Sequence, residues 1–376
     1  MLIFQRKLED QISQSIGSGR ILLIFGPRQA GKTTLAKKLL AKHGDLSAYF
    51  NCEELSVRAH LVVGVAERLK ELAGEHKLIV LDEAQTVENI GIILKLFVDT
   101  YPDVQIIATG SSSFDLANKI NEPLTGRAFS FTLLPLSLEE IRSVKPVDAV
   151  ELQDIMRFGS YPAIVAAETS GEKERILKNI TTSYLYKDIF TFEKIKSPLH
   201  FELLLKLLAH QVGSTVSLNE IAESLAVSRQ TVEKYLRLLE QSYVIRRVHS
   251  FSRNSRNEIR KSFKVFFLDA GVRNAIINDL RDVDTRTDTG PLFELLFFTE
   301  LMKQTVLETF GPDIQFWRTK QGLEVDFIVE RAGDLRAYEC KWGEGEVSFK
   351  TFLKLYPEAH TKVIRQDVLL SEWIPA

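Results

Sequence analysis

The chain has few of the features that would assign it at once to a compartment or a chemistry. Among 376 residues there are two cysteines, Cys52 and Cys340, far apart and without metal-ligand spacing around either. That scarcity excludes a disulfide framework and a zinc module, and fits idle or buried thiols in a reducing compartment. No apolar run approaches the roughly 18 residues of a membrane span. The first residues, Met1-Leu2-Ile3-Phe4-Gln5-Arg6-Lys7, turn charged too early for a secretory signal. The cytoplasm is therefore the expected location, with no membrane partner. Neither sign of charge dominates: 48 basic against 50 acidic residues leave a net charge of −2. Any nucleic-acid role must come from a local patch. Internal repeats and low-complexity segments are missing too.

What is present is an ordinary globular composition, 45% hydrophobic and 26% charged, on a chain too long for one core. Residues 1 to about 20 read as an amphipathic helix through Leu2, Phe4, Leu8, Ile12 and Ile16, closed by Gly17-Ser18-Gly19. Short apolar strands then alternate with helices: Ile21–Phe25, Ala48–Asn51, Leu78–Leu81, Val104–Thr109 and Phe129–Leu134. Strands apolar on both faces predict a parallel sheet covered on either side. From 137 to about 210 the period is helical. A small module follows to about 280, and Asp279 to Gly290 reads as a linker or exposed loop. Beyond it come a helix and strands at Ile314–Arg318, Leu323–Val329 and Leu335–Glu339.

The strand Ile21–Phe25 runs into Gly26-Pro27-Arg28-Gln29-Ala30-Gly31-Lys32-Thr33-Thr34, and a helix follows. This is a phosphate-binding loop in its strand–loop–helix setting, and it predicts ATP. The glycines let backbone N–H groups close around phosphate oxygens, and the helix N-terminus adds partial positive charge. Lys32 is placed to reach the β- and γ-phosphates, and the Thr33 hydroxyl to ligate magnesium. Leu78-Ile79-Val80-Leu81 delivers Asp82 and Glu83, the first to hold magnesium and the second to activate water. The next strand ends in Gly110-Ser111-Ser112-Ser113, where Ser111 is either a γ-phosphate sensor or part of a turn capping a helix. Arg127 is either a finger for a neighbouring subunit's nucleotide or a surface ion pair.

The motifs Gly-Pro-Arg-Gln-x-Gly-Lys-Thr, Leu-Asp-Glu-Ala-Gln, Thr-Gly-Ser-Ser-Ser, Gly-Arg and Leu-Pro-Leu-Ser stand in that order between 26 and 137. Together they resemble the AAA+-type P-loop ATPases of bacteria and archaea that carry a C-terminal domain of unknown function. Phe158-Gly159-Ser160-Tyr161-Pro162 and Phe267-Leu268-Asp269-Ala270-Gly271 extend the resemblance over nearly the whole chain. It implies an AAA+ core, often a homo-oligomer and in some cases a ring, and favours Arg127 as the finger.

Ser217 to Leu225 reads as a short capped helix, Ala226-Val227-Ser228 as a turn, and Arg229 to about Gln241 as a longer helix. The strand pair Val244–Val248 and Lys264–Leu268 supplies a wing, so the pattern is a winged helix. From Ser228 to Lys264 there are ten basic residues, Arg229, Lys234, Arg237, Arg246, Arg247, Arg253, Arg256, Arg260, Lys261 and Lys264. Only Glu233, Glu240 and Glu258 oppose them. That asymmetry predicts DNA contact, with Arg229, Gln230, Thr231 and Lys234 toward a groove and Arg246 and Arg247 toward phosphates. Winged helices that contact only protein are the alternative.

In the last segment Glu294, Asp326, Glu339 and Lys341 resemble the acid-rich motif of PD-(D/E)xK nucleases, with Val325 where a proline is usual. Asp326 and Glu339 would share magnesium, and Lys341 would orient water. A nuclease fold kept as a binding scaffold is the other reading. The expected fold class is α/β: a P-loop NTPase parallel sheet at 1–136, a helical connector at 137–210, a winged helix at 211–280 and a nuclease-like domain at 288–376. The expected function is Mg-dependent ATP hydrolysis coupled to binding and remodelling or processing of DNA, including branched DNA. The alternative is a nucleotide-dependent switch acting on a protein partner, with an inert C-terminal domain. A metabolic small-molecule kinase is disfavoured, because nothing beyond 136 reads as an acceptor pocket.

Overall fold

The computed structural model describes residues 2–110, 124–182, 197–252 and 262–371. The chain divides into two compact units, one of residues 3–136 with 241–243 and the other of 1–2, 137–240 and 244–376. No helix among the described residues is long and apolar enough to cross a membrane.

In the first unit, β1 (Ile21–Phe25), β2 (Ser47–Asn51), β3 (Leu78–Asp82), β4 (Gln105–Gly110) and β5 (Ala128–Thr132) form one all-parallel sheet. Its order is β2-β3-β4-β1-β5. Every residue of β1, β3 and β4 is buried, as their uninterrupted apolar runs require. Because β1 and β2 lie three positions apart, the chain leaves β1 for the far edge of the sheet. Loops diverging from neighbouring strands in this way open a crevice at the strands' C-terminal ends, the usual ligand position in such sheets.

The expected N-terminal helix is shorter than its period suggested, spanning Leu8–Ser15. Residues 3–6 lie outside it, which buries Phe4 and turns the buried Arg6 inward. Its guanidinium donates to the carbonyls of Ala30, 2.7 Å, and Leu134, 2.5 Å.

The second unit begins with helices, the described ones being Leu138–Arg142, Ala149–Phe158, Pro162–Ala166, Ser170–Thr181 and Pro198–His210. Its sheet has seven strands: β6 (Thr215–Val216), β7 (Ile245–Ser250), β8 (Phe263–Phe267), β9 (Ile314–Arg318), β10 (Glu324–Arg331), β11 (Asp334–Cys340) and β12 (His360–Ile364). The order is β12-β11-β10-β9-β7-β8-β6. Two expectations change here. The strand pair expected to project as a wing, β7 and β8, is instead internal, with β7 pairing β9 in parallel and β8 pairing β6. The segments expected as separate domains at 211–280 and 288–376 therefore share one sheet. The strand β12 and the helices Lys350–Leu355 and Gln366–Ser371 had no counterpart in the sequence reading.

The helix Thr289–Thr305 is apolar nearly all round and is buried nearly all round. Phe298 on it stacks on Phe266 of β8 at 4.6 Å, and Phe297 lies 5.7 Å from Phe327 of β10. The segment before it is no exposed linker. The Arg286 side chain is fully buried, bonded to Asp288 and to the carbonyl of Asp279, and Arg273 shares the Asp288 carboxylate. The two motifs that extended the resemblance meet each other: Asp269 accepts the Ser160 N–H at 2.8 Å. A side chain at Gly271 would strike the Phe158 carbonyl. Their role is to join the helix Ala149–Phe158 to the helix Ala270–Ile276.

Candidate functional site

The crevice of the first unit gathers the loop after β1 and the acids after β3. Gly26 has a φ of +147° and lies against β5's exit: a Cβ there would be 2.1 Å from the Leu133 carbonyl oxygen. Only glycine fits that combination of angle and closeness. Gly31, at φ +100°, starts the helix Lys32–Ala41, so the first N–H groups of that helix open toward the loop. The Arg6 contact to Ala30 pins the loop from behind, a role the sequence reading missed.

Lys32 is buried and donates to the carbonyls of Gly26 and Pro27, both at 2.9 Å, so its ammonium lies across the loop that would hold phosphates. Asp82, also buried, accepts three hydroxyls: Thr33 at 2.8 Å, Tyr49 at 2.5 Å, and Thr109. Tyr49 comes from β2 and Thr109 from β4, so three strands converge on one carboxylate. Burial, and then the hydrogen bond to Asp82, push the Tyr49 phenol far above its usual range and fix it as a donor. Thr33 Oγ1 and the Asp82 carboxylate are the hard oxygen donors that magnesium takes, and they already touch. The residues present fit that ion.

Glu83 sits at φ +54°, uncommon for a residue with a side chain, where β3 turns sharply away from the sheet. Its N–H donates to Thr109 Oγ1 at 3.2 Å and its carboxylate accepts from the Gln85 amide. Thr109 thus bridges the two acids, donating to Asp82 and accepting from Glu83. Its position as the last residue before Gly110, at a parallel strand's C-terminal end, was the available signal. Ser111 lies outside the described residues. Thr34 is exposed, one residue beyond Thr33 on the same helix.

Arg127 is not at this crevice. It precedes Ala128, which pairs with Ile21 at the start of β1, whereas the phosphate loop follows the strand's other end. It forms an exposed ion pair with Asp99 at 2.7 Å. That placement sets Arg127 at the opposite end of β1 from the phosphate loop of its own chain. Both cysteines are buried and reduced, and burial pushes the Cys52 thiol up to about 12.

In the second unit Ser217 caps the helix Leu218–Ser224, and a turn through Ala226 leads to the helix Arg229–Gln241. Arg229, Gln230 and Lys234 are exposed along its first turns; Thr231 is half-buried and shares a hydrogen bond with Ser228. Arg246 is exposed, 3.8 Å from Asp313. Arg247 departs from the expectation. Its guanidinium is held by Glu240 at 2.7 Å and Glu233 at 2.8 Å, so it spends its charge inside the unit. Lys264, counted in the same basic cluster, is 1% exposed and paired with Glu294 and Glu324. Arg253, Arg256, Arg260, Lys261 and Glu258 lie outside the described residues.

The acidic set expected for a nuclease is brought together but not as a metal cage. Asp326 and Glu339 lie one step beyond the Phe327–Tyr338 pair of β10 and β11. Asp326 accepts the Cys340 N–H at 2.8 Å, Glu339 pairs with Lys341 at 2.9 Å, and Glu294 lies 3.2 Å from Lys264. Among the described residues no group of three or more His, Cys, Asp or Glu side chains is disposed to hold a metal ion. Burial raises Glu294 to about 8, and burial followed by the nearby Glu339 raises Asp326 to about 6. The Lys264–Glu324 contact is the shorter of the lysine's two, so Glu324 is its main counter-charge.

Three family profiles match the chain in succession. Residues 18–142 match the sequence profile of an AAA domain. Residues 150–282 and 289–372 match two profiles that are each described as a domain of unknown function, DUF8612 and DUF4143. The chain is 27% identical over 344 residues to the uncharacterized protein Rv2008c of Mycobacterium tuberculosis, covering 91% of this chain and 74% of that one. It is 24% identical over 335 residues to the uncharacterized protein MJ1544 of Methanocaldococcus jannaschii, covering 82% and 72%. Among solved structures, the Thermotoga maritima RuvB Holliday junction branch migration motor aligns with a TM-score of 0.34 at 17% identity, covering 65% of this chain and 90% of that one. The Pif1 helicase of Candida albicans aligns at 0.28 and 11%, covering 47% of each chain. Likeness at that level does not bear on function. The profile match and the loop geometry agree that residues 18–142 have the fold of an AAA-type P-loop domain.

Proposed function

We propose that the protein is a magnesium-dependent ATPase whose second unit binds DNA, so that nucleotide turnover drives remodelling or processing of that DNA. The observation that carries the ATPase reading is the meeting of Lys32, Thr33, Asp82 and Glu83 at one crevice. Backbone N–H groups from Gly26 to Thr33 would bind the phosphates of ATP, and the Lys32 ammonium would exchange two carbonyls for phosphate oxygens. Thr33 and Asp82 would hold magnesium, which when bound neutralises phosphate charge and orients the leaving group. The Glu83 carboxylate, steadied by Gln85, would take a proton from the attacking water.

For the DNA reading the support is the exposed Arg229, Gln230 and Lys234 at the head of a helix that follows a short helix and turn, with Arg246 nearby in sequence on β7. The measurement that tests it is the ATPase rate with single-stranded, duplex and branched DNA at two salt concentrations. Salt-sensitive stimulation by one of these, weakened by Arg229→Ala and Arg246→Ala, is the expected result. A rate indifferent to all three overturns it.

One observation favours the second reading, a nucleotide-dependent switch acting on a protein. Two of the basic residues that suggested DNA, Arg247 and Lys264, are neutralised within the unit. Arg127, placed away from its own nucleotide, would serve a neighbour's in a homo-oligomer. Mixing Arg127→Ala with wild-type chains should then depress turnover more than in proportion, and strict proportionality would sink that role.

A further inference from the structure

The acidic cluster of the second unit contains a lysine that its motif does not require. Lys264 comes from β8, in the strand Phe-Lys-Val-Phe-Phe, where its four neighbours are buried apolar residues. A lysine is almost never fully buried unless it is paired, and this one is paired completely. Its ammonium contacts Glu294 Oε1 at 3.2 Å and Glu324 Oε1 more closely, and it lies 5.4 Å from the centre of the Phe316 ring. The Glu324 carboxylate, the Glu294 carboxyl group and an aromatic face thus surround the ammonium. On the other side of Glu294, a Cβ added at Gly213 would come within 2.9 Å of its Oε2, so the glycine there leaves the carboxyl group its place beside the lysine.

The remaining members of the set are also committed. Asp326 accepts a backbone N–H and Glu339 is neutralised by Lys341. A divalent cation and an ammonium compete for the same carboxylate lone pairs, and a cation entering here would have to displace a buried, satisfied charge. We propose that the Lys264 ammonium permanently holds the cation position between Glu294, Glu324 and Asp326, so that this acidic cluster works without a divalent metal. The cluster then ties β8 to the helix Thr289–Thr305 and to β10, joining the strand after the two-helix element to the C-terminal half of the sheet. A nuclease-like arrangement is thereby turned into a structural clasp.

The test uses the full chain, freed of metal with chelator, without nucleotide and in an Asp82→Asn background that removes the first unit's ion site. Manganese chloride is titrated against the melting temperature and by calorimetry. The expected result is no saturable binding that depends on Asp326. Saturable binding that Asp326→Asn abolishes overturns the proposal. In the same background Lys264→Met should gain manganese binding, seen as a rise of a few degrees or more in melting temperature that Asp326→Asn removes. A folded Lys264→Met chain that still ignores manganese shows that the lysine holds no cation position, and also overturns it. Should Lys264→Met fail to fold, the comparison between the parent chain and its Asp326→Asn form decides alone.

Discussion

Each unit of this protein places a buried lysine in its acidic site, Lys32 in the first and Lys264 in the second, and the two differ in what the ammonium touches. In the first unit Lys32 lies on carbonyls of its own loop, while the nearby Asp82 is satisfied by three hydroxyls. An ammonium that exchanges neutral carbonyls for phosphate oxygens gains interaction energy, and hydroxyls give way to a metal ion at small cost. In the second unit Lys264 lies on the carboxylates themselves. Nothing a ligand offers improves on that contact. Similar residue types therefore make an adaptable binding site in one place and a clasp in the other. The deciding quantity is the charge already placed opposite the lysine.

Breaking each lysine should give opposite phenotypes. For the first, we expect Lys32→Ala to lower ATP turnover by about 100-fold or more, since a charge aimed at the transferred phosphoryl group is lost. Glu83→Gln should match that loss within an order of magnitude while retaining ATP binding, measured with a fluorescent nucleotide. Undiminished turnover in either variant would remove the ATPase assignment of that residue. Lys264→Met should instead destabilise the second unit by roughly 3–5 kcal/mol, the usual cost of orphaning a buried charge partner. Urea unfolding followed by the unit's three tryptophans, Trp317, Trp342 and Trp373, measures it, and a loss under about 1 kcal/mol would mean an exposed rather than a buried pair.

Smaller effects sharpen the contrast. Tyr49→Phe removes one of the three hydroxyls on Asp82 and should raise the magnesium concentration needed for half-maximal turnover by about 10-fold, with turnover at saturating magnesium little changed. The smallest effect is a pH slope. Glu294 titrates near 8 in the folded protein and near 4.5 when unfolded. Between those values the native state holds a proton that the unfolded chain has released, so its contribution to stability is complete below about 4.5 and is lost as pH rises through 8. Asp326, raised to about 6, acts with the same sign over a lower window. Glu294→Gln should flatten the decline between about pH 6 and 8 and lessen that between about 4.5 and 6, where Asp326 still contributes, which denaturant unfolding at several pH values would reveal.

Legibility followed the range of the interactions involved. The strands of the first sheet were readable because each is a short, doubly buried apolar run, and the loop was readable because eight consecutive residues specify it. The N-terminal helix was overread, because Phe4 shares its apolar period yet reaches the core from outside the helix. Asp279 to Gly290 was misread because polarity usually means exposure, whereas here Arg286 and Arg273 bury their charge against Asp288. The wing was misplaced because a hairpin's own sequence does not say whether a third strand, here β9, will pair along its open edge.

The sequence alone determined the P-loop and the acids that follow β3, since backbone angle, glycine placement and strand-end position are set within a few residues of each other. Tertiary structure alone decided that Tyr49 and Thr109 converge on Asp82 and that Arg127 sits away from its own crevice. It also decided that Lys264 closes the second acidic cluster. Those outcomes depend on which strands lie side by side and in what register. A charge is neutralised by whatever stands a few ångströms away in space, however distant that neighbour is along the chain.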